Sequence, residues 1–453
     1  MGSVTATYCV VGGGISGLVA AYRLRRAVGP DATITVFDPA DRLGGILRTE
    51  RVGGQVMDIG AEAFVARRPE MPELLADLGL AGRRISPVGT RPLIYAGARL
   101  HPLPAGTVNG IPSAAAPMSE LVDAATVAKM TAEPSRPLRW RAGDDPSVGA
   151  LVADRFGAQV VARSVDPMLS GVYAGSAAGI GLRSAVPTVA AALDRGAANL
   201  TDAVRSVLPP GPAGPVFGAV DGGYQVVLDA LIAQSGLRWQ GSTVVELMRD
   251  GGGWNLYDDE GTCWPADGVI LALPAPRLAA LTAGVAPRTA GAARRIDVAS
   301  SAVVAVAVPG GTPLPQNSGV LVASGEQLHA KAITLSSRKW GARGNTELLR
   351  LSFGRFGDTI ARDTSDDLLL AWSLQELRTV FGVDVDPVDV RVHRWLDAMP
   401  QYAPGHGALV AELRAGLPPG LAVAGSYLDG IGVPACVGAA GLAVQSLSRP
   451  VGR

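Results

Sequence analysis

The sequence predicts an α/β (α+β) fold made of a parallel-sheet domain, a mixed-sheet domain and an α-helical domain. Three observations carry this expectation. A short apolar run from Tyr8 to Val11 passes into a glycine turn and then a periodic helix. A second β-rich run, from Ala32 to Phe37, ends in an acid at Asp38. Further on, short strand runs between residues 243 and 273 alternate with glycine-rich hairpin turns. At 453 residues, the chain is long enough for two or three domains.

Composition narrows the function. The 40 Lys and Arg balance the 40 Asp and Glu, and no basic stripe stands out, so a nucleic-acid partner is not expected. Lysine occurs only at positions 129, 331 and 339, so arginine supplies nearly all the positive charge. None of the three follows a glycine, which removes the phosphate loop of the common ATPases and GTPases. The three cysteines, Cys9, Cys263 and Cys436, form no C-x-x-C, and the four histidines lack metal-ligand spacing, so no metal site is expected. The N-terminus does not have the pattern of a secretory signal, and the longest uncharged stretch contains several prolines. A cytoplasmic chain is the expectation, with peripheral contact at the inner face of the membrane left open.

The elements can be justified in order. Tyr8–Val11 suits a buried parallel strand. Gly12, Gly14 and Gly17 then occupy the G-x-G-x-x-G positions, with Gly13, Ile15 and Ser16 between them. Gly12 permits the tight turn, Gly14 lets the backbone approach a pyrophosphate, and Gly17 lets helix and strand pack closely. Ile15, Leu18, Val19 and Tyr22 recur at helical spacing. The helix N-terminus offers free N–H groups to phosphates. Asp38 lies about 20 residues beyond Gly17, the distance at which an acid meets ribose hydroxyls. Arg42, Gly44 and Gly45 follow, with an arginine suited to bidentate phosphate contact and two glycines that keep the backbone close.

Residues 95–210 read as mostly helical. Pro209–Pro215 is a Pro/Gly-rich linker. Gly222-Gly223 opens a helix to about Ser235, and the runs at 243–248, 254–257 and 262–264 form a meander ending in the buried strand Gly268–Leu273. Residues 290–415 alternate strands with one clear helix, Asp366–Phe381, whose apolar stripe is Leu370, Leu374, Leu377 and Phe381.

Four stretches resemble the protoporphyrinogen and coproporphyrinogen III oxidase family: GGILRTERVGGQVMDIGAEAF (44–64), LSGVYAG (169–175), WLDAMPQYAPGH (395–406) and GSYLDGIGVPACVGAAGLA (425–443). The chain is most similar to the Gram-positive and actinobacterial coproporphyrinogen branch, because Glu62 stands where mitochondrial-type forms have arginine. The resemblance implies a Rossmann-like FAD-binding domain of the glutathione-reductase/amine-oxidase type, discontinuous over about 1–75, 213–290 and 418–453. It also implies an α-helical domain over 95–210 and a substrate domain over 76–94 and 291–417. By the same resemblance, Gly60, Ala61, Glu62, Ala63, the backbone of Val244, Gly425, Val433, Pro434 and Ala435 join the FAD site, and Cys436 is not a flavin attachment.

The implied activity is oxidation of coproporphyrinogen III by FAD and O₂, with the flavin taking hydride three times and releasing H₂O₂ at each pass. Protoporphyrinogen IX oxidation, an amine oxidase or desaturase activity, and a non-enzymatic FAD-binding scaffold of the haem pathway are the alternatives. No residue announces itself as an acid or base. The substrate's carboxylates call for arginines, and Arg67, Arg68 and Arg183 are the expected cations, with Tyr173, Tyr402 and His406 expected to line the cavity. Transient contact with haem-pathway enzymes stays open, as does the oligomeric state.

Overall fold

The computed structural model describes residues 6–211, 214–342 and 344–448. The outer ends of the expected segments at 1–5 and 449–453, and Pro212-Ala213 of the linker, lie outside the described residues.

Strand β1 (Thr7–Val11), helix α1 (Ile15–Val28) and strand β2 (Thr33–Phe37) form where the sequence places them. β1 and β2 join three more strands in a five-stranded parallel sheet, in the order Arg238–Gln240, β2, β1, Gly268–Leu271, Leu421–Val423. Both faces are apolar, as a buried parallel sheet requires. Val10, Ile34, Val36, Ile270 and Ala422 pack under α1 and the helices Gln225–Ser235 and Val433–Ser448. Cys9, Val11, Phe37, Val269, Leu271 and Val423 face the antiparallel meander of Val244–Asp250, Gly253–Asp258 and Cys263–Ala266.

A second, seven-stranded sheet has the order Asp389–Pro400, Val298–Pro309, Thr346–Phe353, Ala332–Leu335, Gly319–Val322, Leu93–Ala96, Arg99–Pro102. It is mixed because Gly319–Val322 runs parallel to Leu93–Ala96. One face carries Val304, Val306, Leu349, Leu351 and Phe353 against the helix Asp366–Phe381. That helix has the expected ends, but its inward face is Leu369, Ser373, Glu376, Leu377 and Val380, about one residue round from the expected stripe. The polar pair fits inside because Ser373 Oγ donates to Leu369 O at 2.7 Å and Glu376 accepts from the backbone N–H groups of His329 and Ala330. The opposite face carries Ala305, Ala307 and Leu348 against Val52, Met57 and Ile59 of the hairpin formed by β3 (Thr49–Val52) and β4 (Gln55–Asp58).

Residues 124–206 are helical, whereas the stretch from 95 to 112, expected to be helix, is strand and turn, because Arg99–Pro102 pairs with Leu93–Ala96. The core of the helical part contains a buried ion pair. Glu133 accepts from Arg155 Nε at 2.8 Å, Leu200 N at 2.9 Å and both donors of Thr201. Arg155→Met leaves this carboxylate buried but still bound by three donors. The expected loss is at the low end for a broken buried pair, about 3 kcal/mol. A lowered urea midpoint reads the loss, and the double variant with Glu133→Gln recovers part of it.

Candidate functional site

The turn between β1 and α1 is shaped by two close approaches. A Cβ on Gly12, which has φ +107°, would lie 2.4 Å from Ala272 O, and one on Gly17 would lie 1.9 Å from Gly12 O. Gly14 is different. Its backbone is extended (φ −70°, ψ 177°), it caps α1 without a side chain, and a Cβ there would meet nothing nearer than Gly45 Cα at 3.9 Å. The first turn of α1, whose N–H groups lack intrahelical acceptors, therefore starts beside open space. Gly44 and Gly45 wall this space, with Gly44 N donating to Gly13 O at 2.8 Å.

Asp38, at the end of β2, accepts from Gly13 N at 2.6 Å and from Ala40 N at 3.0 Å, so one carboxylate both braces the turn and borders it. Its carbonyl accepts from Trp239 Nε1, close to the start of the strand opened by Val244, where the pairing bulges. Arg42 donates to Leu43 O, Leu47 O and Gly45 O at 2.7–3.0 Å. The sequence suggested direct phosphate contact; in the structure the guanidinium shapes the Gly44–Gly45 turn and keeps two N–H donors over.

The segment after β4 brings the two sheets together. A Cβ on Gly60 would lie 1.8 Å from Ile46 O and 3.2 Å from the Trp395 ring, and Trp395 Nε1 donates to Ile59 O at 3.3 Å. Ala61 and Ala63 flank Glu62, which accepts from Ser336 Oγ at 3.0 Å and pairs with Lys339 Nζ at 2.7 Å. Burial raises the Glu62 carboxyl, but Lys339 and Arg350 outweigh it and hold the group down at about 2. Asp58 is buried beside it and accepts from Thr49 Oγ1 at 2.5 Å and Tyr224 N at 3.1 Å. Here burial wins and pushes the carboxyl up to about 7. A cavity opens between Asp58, Glu62, Gly222, Gly223, Ser336 and Trp340.

The C-terminal wall is the loop from Gly425 into the helix Val433–Ser448. A Cβ on Gly425 would strike the Tyr427 ring at 2.5 Å. The Tyr402 hydroxyl donates to Ser426 O, and His406 Nε2 lies 2.9 Å from Tyr427 O and 3.3 Å from Leu428 O. Burial pushes the Tyr173 phenol up to about 12 and lowers His406, which therefore stays neutral and donates to these carbonyls. Tyr173, Tyr402 and His406 form a ring ladder with centroids 5.5 and 4.3 Å apart, and this ladder holds the loop. Val433, Pro434 and Ala435 are buried at the helix start. Cys436 is buried behind them, and burial pushes its thiol up to about 11.

The three expected arginines are not brought together. Arg67 is exposed, Arg68 is paired with Glu70, and Arg183 is bidentate on Asp194 at 2.8 Å and lies over Trp140. Sequence reasoning did not assign Lys339, Trp340, Arg350 or Trp395 to the site: Trp395 opens the matched stretch 395–406 and Lys339 is one of three lysines, whereas Trp340 and Arg350 carry no signal in the sequence.

These features fit a flavin dinucleotide. Of Gly12, Gly14 and Gly17, Gly14, the one meant to face a phosphate, is the one with open space, and the Tyr224 hydroxyl, near Asp58, Glu62 and Cys436, is fully buried without a hydrogen-bond partner. The family model of the flavin-containing amine oxidoreductases matches residues 15–447. The chain belongs to this family. It is a flavin-dependent oxidoreductase. A Mycobacterium tuberculosis protein named coproporphyrinogen III oxidase is 70% identical over 441 residues, 97% of each chain. A Bacillus subtilis protein of the same name is 27% identical, with 94% of this chain and 95% of the other aligned. The structure superposes with a TM-score of 0.87 on an Exiguobacterium sp. protein provisionally described as a protoporphyrinogen oxidase, at 27% identity over 98% of this chain and 99% of that one. A putrescine oxidase shares the fold, with a TM-score of 0.70 at 16% identity over 98% of this chain and 100% of that one.

Two neighbouring glycines should respond differently to alanine. Gly14→Ala has room in the protein and should leave the melting temperature nearly unchanged while lowering bound flavin, because its methyl enters the open space. Gly17→Ala should lower both. Flavin absorbance per folded protein and circular dichroism separate the two outcomes.

Asp58 makes stability depend on pH. Its folded pKa of about 7 lies above an unfolded value of about 4. The contribution of this group is therefore fully present below about pH 4 and is lost as pH rises towards 7. Asp58→Asn should flatten that decline, so the variant gains on the wild type between pH 5 and pH 7.5 in urea unfolding. An identical slope in both proteins contradicts the assignment.

Proposed function

We propose that the chain is a coproporphyrinogen III oxidase that uses non-covalently held FAD and O₂. The observation that carries this reading is the 70% identity, over 97% of both chains, to a protein of that name, in a chain whose turn and walls suit a dinucleotide. Of the described helices, none is long and apolar enough to cross a membrane. The reading includes a cytoplasmic location with peripheral contact at the inner face of the membrane.

When bound, FAD supplies two-electron oxidation, accepting hydride from a substrate carbon and passing the electrons to O₂ to give H₂O₂. The chain's residues bind, orient and exclude water. The first turn of α1 with Gly14 would receive the pyrophosphate, Asp38 and the Val244 backbone the ribose and adenine, and the start of the Val433–Ser448 helix the polar edge of the ring. Cys436 sits inside that helix as an undissociated thiol, which favours non-covalent binding. Trp395 on Gly60, with the Glu62–Lys339 pair, would hold the substrate sheet over the ring at a fixed height. The reading includes the expected division into a discontinuous FAD domain, a helical domain and a substrate domain.

The test is expression, release of the flavin by acid, and fluorescence assay of both porphyrinogens. FAD should come free of protein. Coproporphyrinogen III should be oxidised with a kcat/KM at least about tenfold above that for protoporphyrinogen IX, the discrimination expected of one or two extra charge-assisted hydrogen bonds. Turnover of neither substrate overturns the proposal, and a reversed preference moves it to the protoporphyrinogen reading.

A further inference from the structure

The arginines that the sequence put forward for substrate carboxylates are exposed or already paired, but one pair of cations is neither. Lys331 is only 4% exposed. Its Nζ donates to Gly354 O at 2.7 Å and to Ser301 Oγ at 2.9 Å, which leaves its third N–H without a protein acceptor. Beside it, the half-buried Arg355 guanidinium makes no hydrogen bond or ion pair among the described residues. The two charges oppose one another: burial first, and then Arg355, lower the Lys331 ammonium to about 7, and burial also lowers Arg355.

The acids around them are committed elsewhere. Asp358 accepts from Arg355 N at 2.7 Å and Ile360 N at 3.2 Å. Asp166 accepts from Ala177 N at 2.7 Å and Ser324 Oγ at 2.8 Å. Glu376 holds His329 and the N–H of Ala330. Asp358, Asp166 and Glu376 offset the two charges only through space, with no ion pair to either cation among the described residues, so two partly dry like charges are still better satisfied when an anion reaches them.

Their position says which anion. Ser301 lies directly opposite Trp395 in the sheet, and Trp395 rests on Gly60 of the segment assigned to the flavin. On the other side, Phe356 N donates to Ala174 O at 2.6 Å, where the helix Asp166–Tyr173 ends in a left-handed residue. Phe356 and Val172 are about half exposed there, an apolar flank next to the cations. A ligand reaching this corner must be apolar over most of its area and carry a carboxylate at its rim. A bidentate guanidinium with an ammonium beside it suits such a group.

We propose that Arg355 and Lys331 together bind one propionate carboxylate of the porphyrinogen. This rests on the reading of the substrate given above. Lys331 also ties the end of the Thr346–Phe353 strand to Ser301, so the same ammonium that meets the carboxylate sets the position of the Trp395 strand over Gly60.

The test compares the flavin-loaded wild type with Arg355→Met, Arg355→Lys and Lys331→Met. In Arg355→Met, KM for coproporphyrinogen III should rise roughly tenfold or more, by more than kcat falls, and Arg355→Lys should recover part of the loss. Lys331→Met should weaken binding in the same direction. Coproporphyrin III, titrated by fluorescence quenching, gives the same comparison without turnover. If KM and this Kd stay within twofold of wild type in both methionine variants, with the flavin spectrum intact, the carboxylate site is overturned. If wild-type protein binds coproporphyrin III in an Arg355-dependent way but oxidises neither porphyrinogen, the site stands and the reading of the reaction falls.

Discussion

The arrangement depends on how closely α1 is pressed onto β1. The Gly17 backbone rests against the Gly12 carbonyl with no room for a methyl, and Gly12 in turn rests against Ala272 on the neighbouring strand. This contact aims the first turn of α1 at the space in front of Gly14. The glycine turn carries the Gly13 N–H past the end of β2, where Asp38 accepts from it at 2.6 Å. A bulkier turn would move the helix dipole, the acid and the Gly44–Gly45 wall together, because Asp38 and Gly44 both hydrogen-bond to Gly13 and α1 is tied to the next residue through Leu18 N and Gly14 O.

The second sheet matters through one face. Its helix-covered face is ordinary apolar packing. The other carries small residues, Ala305 and Ala307, where it meets the β3–β4 hairpin, and the larger Trp395 where it meets Gly60. Glu62 and Lys339 clasp the same junction in a largely buried pair. In such a place the attraction is little screened, and losing either partner leaves a charge without compensation. The overhang is thereby held at one height.

Charge is used sparingly and locally. The chain is neutral overall, yet it places Asp58, Glu62, Lys331 and Arg355 in dry or half-dry positions near this junction. Burial dominates at Asp58 and Lys331, whereas facing cations dominate at Glu62. The difference is direct contact: Glu62 is paired with Lys339 at 2.7 Å, whereas Arg350 acts on Asp58 and Asp358 on Lys331 too weakly to overcome burial.

The first sixty residues were legible because their signals are local. A strand, a glycine turn, a helix and an acid at fixed spacing need no distant partner to be recognised, and the meander and the Asp366–Phe381 helix were legible for the same reason. The sequence alone therefore determined the glycine turn between β1 and α1 and the α/β character of the chain. It did not determine that 95–112 adds a strand to the second sheet, since short strands there form only by pairing with Leu93–Ala96. Nor did it determine which cations are free. Arg68 and Arg183 look available in one dimension and are neutralised by Glu70 and Asp194 in three. Arg355 and Lys331 are ordinary in the sequence and become a site only because a strand end, a left-handed turn at Ala174 and Ser301 meet in space. Whether a charge is free depends on distance and burial, and those are set by the tertiary structure.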